Sequence, residues 1–298
     1  MHIQAFQFFL KMERQLSPHS VSAYIQDVNL FLKYLEKHSI CHLPSAICHT
    51  HITGFISWLH ERGTSATSQA RVLSGLKAFY KYLMREQLVS KSPLDLIESP
   101  KIAHKIPYVM TLPEIERMIK QIDLSTTEGK RNRAMLEVLY SCGLRVSELV
   151  NLKISNLMFD SEFIKVTGKG NKQRHIPIGS HAIRFIREYM RARKLISIQP
   201  FCADFVFLSQ RGQPITTVQV FNIIKVLAKS AGLSGEISPH TFRHSFATHL
   251  VQNGADLRAV QEMMGHNSIM STEIYTHMHS KDLLKAIKNF HPRSKKVA

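Results

Sequence analysis

The stretch SPHTFRHSFATHL, residues 238–250, combines a strong helix start with side chains suited to binding an anion. Ser238 is a favourable N-cap and Pro239 fits the first helical position, so a helix is predicted to begin here. His240 and Arg243, three residues apart, then share one face near the positive end of that helix. Both side chains can therefore address a single anionic group.

Two other interpretations of these histidines stay open from the residues alone. His240, His244 and His249 are also consistent with ordinary histidines on a helix surface. His240 and His244, at positions i and i+4, could instead hold zinc. The HExxH motif of zinc enzymes requires glutamate after the first histidine, and Thr241 stands there, so the zinc interpretation is disfavoured.

A second segment, residues 163–179, predicts a β-hairpin. FIKVT and QRHIPIG have strand character, and the glycine-containing sequence between them suits a turn. Lys169 lies in that turn, where a lysine is either solvated or placed to reach a DNA groove or a leaving oxygen. A Walker A phosphate loop is excluded, because Ser or Thr must follow its lysine and Gly170 stands there.

The rest of the chain is mainly helical in pattern and divides in two. Its 298 residues exceed the usual size of one domain. Three X-Pro pairs between residues 91 and 107 interrupt helix and suit an extended linker. The sequence TLPE at 111–114 then has the spacing of a capping box. We therefore predict an all-helical domain over residues 1–98, a linker over 99–107 and a second, α+β domain over 108–298.

Charge points to a polyanionic partner. The formal net charge is +17, of which residues 101–298 carry +14. Nucleic acid is favoured over an anionic membrane surface. The chain lacks a run of about 18 apolar residues, and its N-terminus does not resemble a signal peptide. These features predict a cytoplasmic protein without a membrane partner.

Cysteine usage predicts neither disulfides nor a metal site. The four cysteines form no CxxC pair, which is typical of thiols in a reducing compartment. One histidine-rich segment contains possible zinc ligands, but its spacing matches no familiar finger. Those residues are Cys41, His42, Cys48, His49 and His51.

Two further residues indicate a catalytic role only in combination with other candidate residues. Arg145 follows Gly143, a predicted helix end, where an arginine is usually a solvated or capping residue. Tyr275 alone would most often be a half-buried packing residue, since a phenol with a pKa of about 10 is a poor nucleophile. Nearby arginine and lysine side chains could activate it.

Together these residues resemble the signature of the tyrosine recombinase (phage integrase) family, in which Arg, Lys, His-x-x-Arg, His and Tyr follow in that order. CGLRVSELV, GKGNKQRHIPIG, GADLRAVQEMMGH and the terminal HPR are similar to the Xer type of the family. Gln173 and Met264 stand where Glu and Leu are common, and leave the chemistry undisturbed. The six matching positions are Arg145, Lys169, His240, Arg243, His266 and Tyr275.

The resemblance implies a fold and a reaction. The fold would be mainly α, with an N-terminal SAM-like core-binding domain and an α+β catalytic domain containing a small β-sheet. Tyr275 would attack DNA to give an O-(3′-phospho-DNA)-tyrosine, with no metal, ATP or other cofactor. Arg145, Arg243 and His266 would stabilise the phosphate, Lys169 would protonate the leaving oxygen and His240 would accept the tyrosine proton. Glu148 either orients Arg145 or forms an ordinary surface pair with it.

It also implies partners. These are a double-stranded DNA recombination site, a paralogous Xer recombinase in a cyclic heterotetramer of two plus two, and a septal DNA translocase, for chromosome dimer resolution at cell division. An apolar face over residues 281–290 predicts a terminal helix that docks on its own domain or, as in the family, on a neighbouring subunit. The alternatives are an integrase of a mobile element, a topoisomerase of related chemistry, and a catalytically silent DNA-binding protein of the same fold.

Overall fold

The computed structural model describes residues 2–98, 100, 108–168, 172–265 and 280–294. The chain divides into two compact units, Met1–Lys105 and Ile106–Ala298. The finer predicted limits, with a linker over residues 99–107, stay a prediction, because that segment lies outside the described residues except for Pro100. No helix of the described ranges is long and apolar enough to cross a membrane.

The regular secondary structure of the first unit is all helical among its described residues. Ser17 caps the second helix, where its side chain accepts a hydrogen bond from Ser20 N–H, as the sequence predicts. The helices enclose one apolar core that includes Phe31, Phe55 and Leu76. The helices are α1, Ile3–Phe8, which continues as a π-helical turn Phe9–Glu13, then α2, Pro18–Lys37, α3, His49–Glu61, and α4, Ala66–Arg85.

An ion pair between a buried carboxylate and a half-exposed arginine links α2 to α4. Asp27 is 1% exposed, and its carboxylate lies 2.7 Å from Arg71 Nη1. Burial raises the pKa of Asp27 and the Arg71 charge opposes that shift. Gly75 lies against the same carboxylate, since a Cβ there would come within 2.5 Å of Asp27 Oδ2. The absence of a side chain at Gly75 therefore lets the two helices approach.

The second unit contains eight α-helices among its described residues and a small sheet. Thr111 and Glu114 form the predicted capping box at its first helix. The helices are α5, Leu112–Lys120, α6, Thr127–Cys142, α7, Val146–Val150, α8, Ser180–Arg193, α9, Thr217–Ser230, α10, Pro239–Gln252, α11, Leu257–Met264, and α12, Ser280–Phe290.

The sheet contains the predicted hairpin and one strand that the sequence did not predict. Strand β1 spans Leu157–Met158, β2 spans Phe163–Thr167 and β3 spans Gln173–Pro177. They are antiparallel in the order β1-β2-β3. β1 has only two residues, too few to give an alternating pattern that could be recognised. The predicted fold class, mainly α with a small sheet in the second domain, is confirmed.

Helix α6 forms the centre of the second unit. Residues 134–142 are all buried, and α8 and α10 pack against the helix. It ends at Gly143, whose φ of +57° is left-handed, and a Cβ there would come within 2.4 Å of Phe246 Cδ1. Glycine is therefore required both for the turn and for the approach of α10. This turn brings the chain to Arg145.

The terminal helix α12 packs on its own domain in this single chain. Leu283 and Ile287 join Phe246, Leu250 and Met263 in an apolar cluster with α10 and α11. The sequence left open whether the helix docks in its own domain or on a neighbour, and here the former holds. Exchange between subunits stays a prediction.

After α12, the chain is held against α6 by buried polar groups. Glu137 is fully buried, with Arg133 Nη2 at 2.9 Å, His181 Nδ1 at 3.3 Å and Arg293 Nε at 3.4 Å from its carboxylate oxygens. Burial acts to raise the pKa of Glu137, but these three partners hold it below its ordinary value. His291 is 1% exposed and hydrogen-bonded to the Tyr140 carbonyl at 3.2 Å.

His291 is neutral in the folded protein. Arg293 N–H donates to its Nδ1 at 3.1 Å, so Nε2 carries the hydrogen and donates to the Tyr140 carbonyl. The pKa of His291 is lowered to about 4, mainly by burial. The charges of His249 and Arg293 act in the same direction, whereas the Tyr140 hydrogen bond and Glu137 oppose the shift. Protonation would place a hydrogen on Nδ1 facing the Arg293 N–H. Acid therefore weakens the contacts by which His291 holds the end of the chain against α6.

We expect His291 to make the protein less stable as pH falls. Because its pKa is about 6.5 in the unfolded chain and about 4 in the folded one, its stabilising contribution is present above pH 6.5 and is lost towards pH 4. The free energy of unfolding should fall by about 2 kcal/mol between pH 7 and pH 5 from this group alone. Urea unfolding at both pH values measures the change.

The matched variants for this prediction are His291→Asn and His19→Asn. The first should be less stable at pH 7 but lose less stability on acidification. The second removes an exposed histidine and should behave as the wild type. An equal acid-induced loss in the wild type and in His291→Asn would contradict the assignment.

Candidate active site

Arg145 and Glu148 form the first part of the site. Arg145 is the N-cap of α7, with extended backbone, and so lies just before that helix. Glu148 Oε2 accepts a hydrogen bond from Arg145 N–H at 2.8 Å, and Oε1 accepts one from Arg145 Nη1 at 3.0 Å. Because Glu148 is only 4% exposed, the pair is not an ordinary surface pair. Glu148 orients Arg145.

Arg174 on β3 is a further member of the site and does not belong to the residues predicted from the sequence. Its Nη1 and Nη2 donate to the two Glu148 oxygens at 2.6 and 3.0 Å, and its Nε donates to the Met263 carbonyl at 3.1 Å. A signal for it exists in the sequence. Arg174 is two residues from the buried Ile176 on the same strand, and it pairs across the hairpin with the buried Val166. Residues two apart share one face of a strand, so Arg174 lies on the buried face and needs a carboxylate partner.

Burial and cation contacts compete at Glu148. Burial acts to raise its pKa, but hydrogen bonds from Arg174 and Arg145 hold the pKa below its ordinary value. The carboxylate is therefore ionised at neutral pH. One negative charge is thus shared by two guanidinium groups, and the site keeps a positive excess that suits a phosphate.

Arg243 on α10 is the third guanidinium of the site. Its Nη1 donates to the Gly143 carbonyl and its Nη2 to the Met264 carbonyl, and the residue is 6% exposed. Its pKa is lowered to about 10, mainly by burial; the charges of Arg145 and Arg174 contribute to this shift and Glu148 opposes it. A pKa of about 10 leaves Arg243 charged at neutral pH.

The three arginines meet at the end of α11. They donate to the carbonyls of three consecutive residues: Arg174 to Met263, Arg243 to Met264 and Arg145 to Gly265. The distance from Arg145 Nη2 to the Gly265 oxygen is 3.1 Å. These carbonyls lie at the negative end of the helix, where cations are favoured. The chain leaves α11 through Gly265, with a left-handed φ of +60°, and the next residue is His266.

The structure brings some of the six predicted residues together and leaves others outside its description. Arg145 and Arg243 meet at the end of α11. His240 is exposed at the start of α10 and makes no hydrogen bond to the described residues. Lys169, His266 and Tyr275 lie outside the described residues. Their positions in the site therefore stay predictions.

Two glycines mark where the chain passes from the cluster to Lys169 and His266. A Cβ on Gly168 would lie 3.3 Å from Arg174 Nη1 and 3.5 Å from Glu148 Oε1. A Cβ on Gly265 would lie 3.1 Å from Arg174 Cζ. The backbone directly preceding each predicted catalytic residue therefore lies against Arg174.

The histidine-rich segment of the first unit shows a small thiol contact. Cys48 Sγ lies 3.3 Å from His51 Nδ1 at the start of α3. Hydrogen bonds from Thr50 and His51 lower the pKa of this exposed thiol. Within the described ranges, no three His, Cys, Asp or Glu side chains gather as a metal site.

Comparison with family models decides the family. The model described as the phage integrase family matches residues 108–282, and the model of the phage integrase N-terminal SAM-like domain matches residues 3–87. The chain belongs to the phage integrase family of tyrosine recombinases. The family assignment made from the signature residues is therefore confirmed.

Curated relatives place this tyrosine recombinase near the Xer type. Tyrosine recombinase XerD of Listeria monocytogenes serotype 4b is 41% identical over 98% of this chain and 99% of the relative. Tyrosine recombinase XerC of Anoxybacillus flavithermus is 38% identical over 96% of each. The sequence motifs are more similar to XerD than to XerC, in agreement with the several relatives named XerD.

Solved structures share the fold. The XerH site-specific recombinase in a pre-cleavage complex with difH substrate is 26% identical, with a TM-score of 0.67 over 86% of this chain and 76% of that one. A lambda integrase dimer bound to a COC′ core site is 16% identical, with a TM-score of 0.69 over 93% of this chain and 98% of that one. The second likeness supports the fold alone.

Proposed function

We propose that this tyrosine recombinase cleaves and rejoins double-stranded DNA at a specific site through a 3′-phosphotyrosyl bond to Tyr275. The observation that carries the proposal is that Arg145 and Arg243 both bind main-chain carbonyls at the end of α11, directly before His266 in the sequence. The XerH site-specific recombinase, 26% identical, is bound to difH substrate in its solved structure. The roles of the individual residues are inferred from chemistry and from the family signature.

The arginines would first offset the charge of the phosphodiester. A phosphodiester repels nucleophiles, and more negative charge develops as the phosphorus becomes pentacoordinate. Arg145 and Arg243 each leave Nε unbonded to the described residues, so both retain donors for non-bridging oxygens. Held by Glu148 and by main-chain carbonyls, they need little rearrangement to act. His266 would add a further donor.

The chemical step exchanges one phosphate ester for another. The Tyr275 oxygen attacks phosphorus and forms the new P–O bond as the bond to the 5′ oxygen breaks. Lys169 would give its proton to the leaving 5′ oxygen, and His240 would accept the phenol proton. Rejoining reverses these transfers with a 5′-hydroxyl from the partner strand. Because the phosphotyrosine conserves the bond energy, rejoining would need no ATP. Arg145 and Arg243 would supply the positive charge that a metal ion supplies in other phosphoryl-transfer sites.

DNA binding would draw on the charge of the second domain. Residues 101–298 carry most of the net charge of +17, and neutralisation of phosphates by Lys and Arg makes affinity depend steeply on salt. The SAM-like first domain would contact the other side of the duplex, as the family resemblance implies.

The family resemblance also carries the proposed assembly. The partner would be a paralogous Xer recombinase in a cyclic heterotetramer, with α12 exchanged between neighbouring subunits and a septal DNA translocase as activator. The reaction would pass through a Holliday junction and resolve chromosome dimers in the cytoplasm. Exchange would require α12 to leave the apolar cluster that it forms here with α10 and α11.

The test is covalent trapping on a nicked suicide substrate that carries a candidate site. In EDTA and without ATP, the protein should form a product that survives a denaturing gel, alone or with its paralogue. Rejoining to a paired site rather than relaxation of a single supercoiled duplex distinguishes recombination from topoisomerase activity. Tight DNA binding without any covalent product in the presence of the paralogue would instead support a silent binding protein.

A further inference from the structure

We propose that Arg174 is a positioning residue that locks the β2–β3 hairpin, Glu148 and the end of α11 into one catalytic arrangement. The inference rests on the proposed function, because the residues it would position are those of the cleavage site. Arg174 does not belong to the six signature positions. Its assignment comes from its contacts in this structure alone.

Arg174 differs from the other two arginines in how its nitrogens are used. All three are bonded to the protein, two to the Glu148 oxygens and one to the Met263 carbonyl. Arg145 and Arg243 each leave Nε unbonded to the described part of the chain. Exposure does not separate the three, because Arg145 is 33% exposed and Arg243 6%. Arg174, at 16%, has no guanidinium nitrogen left over for a ligand. Its guanidinium group thus connects parts of the protein and is not available to a phosphate. We call Arg174 with its contacts to Glu148 and Met263 the strut.

The strut connects three separate segments of the chain. Arg174 is on β3, Glu148 on α7, and Met263 and Gly265 are at the end of α11. Through Glu148, which also holds the Arg145 backbone N–H and guanidinium, Arg174 fixes the direction of Arg145. Through Met263, it fixes the end of the helix that leads to His266. Its own hairpin leads to Lys169.

Only an arginine can make this set of contacts. A planar guanidinium presents two parallel donors to a carboxylate and a third, Nε, in a fixed direction. A lysine at 174 would keep the charge and lose the bidentate geometry. Gly168 and Gly265 leave room for the guanidinium, because a Cβ at either would lie within 3.3 Å of it. The site is thus shaped around the arginine plane.

The experiment compares Arg174→Lys with the wild type for single-turnover cleavage at saturating protein and for the DNA dissociation constant. Displacement of a positioned group by about 1 Å can cost about 10²-fold in rate. We therefore expect cleavage to slow by about 10²-fold while the dissociation constant changes less than about threefold. Glu148→Gln should slow cleavage similarly, and the double variant should be no slower than the slower single one.

Arg184→Lys is the matched control. Arg184 also pairs with a carboxylate, Glu188 at 2.9 Å, but on the exposed surface of α8, so this variant should cleave at the wild-type rate. A wild-type cleavage rate in Arg174→Lys would overturn the proposal. Parallel losses of rate, DNA affinity and melting temperature would also overturn it, since they would indicate a general role in folding.

Amide hydrogen exchange tests the strut independently of cleavage. In Arg174→Lys, exchange over residues 257–265 should be faster than in the wild type, with the core helix α6 unchanged. Unchanged exchange at the end of α11 would overturn the proposal even if cleavage slowed. If the wild type forms no covalent product even with its paralogue, the proposed function fails, while exchange still decides whether Arg174 holds this helix end.

Discussion

Substitution of Tyr275 by phenylalanine is expected to abolish the covalent protein–DNA product and to leave DNA affinity unchanged. Phenylalanine lacks the oxygen that forms the phosphate ester, so no other change in the site can restore the bond. The phosphate contacts that give affinity come from Lys and Arg side chains, which the substitution leaves in place. Wild-type and variant protein should be compared on a nicked substrate by denaturing gel and by DNA titration.

The matched control is Tyr108→Phe in the same domain. Tyr108 is exposed, and its hydroxyl donates to Glu114 outside the arginine cluster. This variant should form the covalent product at the wild-type rate. Covalent product from Tyr275→Phe would show that another residue is the nucleophile, and the proposed mechanism would then be wrong.

Replacing Arg243 by alanine is expected to slow cleavage by about 10²–10³-fold, the usual effect of removing one preorganised donor to a developing oxyanion. The arginine is charged at the pH of the assay, because its pKa of about 10 stays well above neutrality. Its loss also leaves the Gly143 and Met264 carbonyls without this donor. A buried acceptor without a partner costs about 1–3 kcal/mol, so the melting temperature should fall too.

Arg243→Lys separates the loss of cleavage rate from the loss of stability that is expected for Arg243→Ala. Lysine restores a positive charge but cannot bridge both carbonyls and a phosphate, so the rate should recover only in part. Cleavage should be followed below the melting temperature of each variant, at saturating protein. A folded Arg243→Ala protein that cleaves within a few-fold of the wild-type rate would rule out a direct role for Arg243.

Local patterns predicted much of the fold. The Ser17 cap, the capping box of Thr111 and Glu114 and the β2–β3 hairpin depend on residues close in sequence, and the structure has all three. Strand β1 and the burial of His291 were missed, because each depends on contacts with distant segments. His291 is buried by α6 and α10. Its hydrogen-bond partner on α6, Tyr140, lies 151 residues earlier in the chain.

The site was predicted in part, and the reason lies in what a signature contains. Arg145 and Arg243 belong to the family signature, and the structure brings them together at one helix end. Glu148 could be named because it follows Arg145 at a short spacing. Arg174 was missed because an arginine in a hairpin is usually solvated, and only its alternation with Ile176 indicates the buried face. Its partners, Glu148 and Met263, are on other elements.

The measurement that tests the central claim most directly is mass analysis of the trapped complex after nuclease and trypsin digestion. The tryptic peptide over residues 259–281 contains Tyr275 as its only tyrosine. We predict that this peptide carries a nucleotide joined through its 3′-phosphate to Tyr275. A nucleotide on any other residue, or one joined through a 5′-phosphate, would contradict the account.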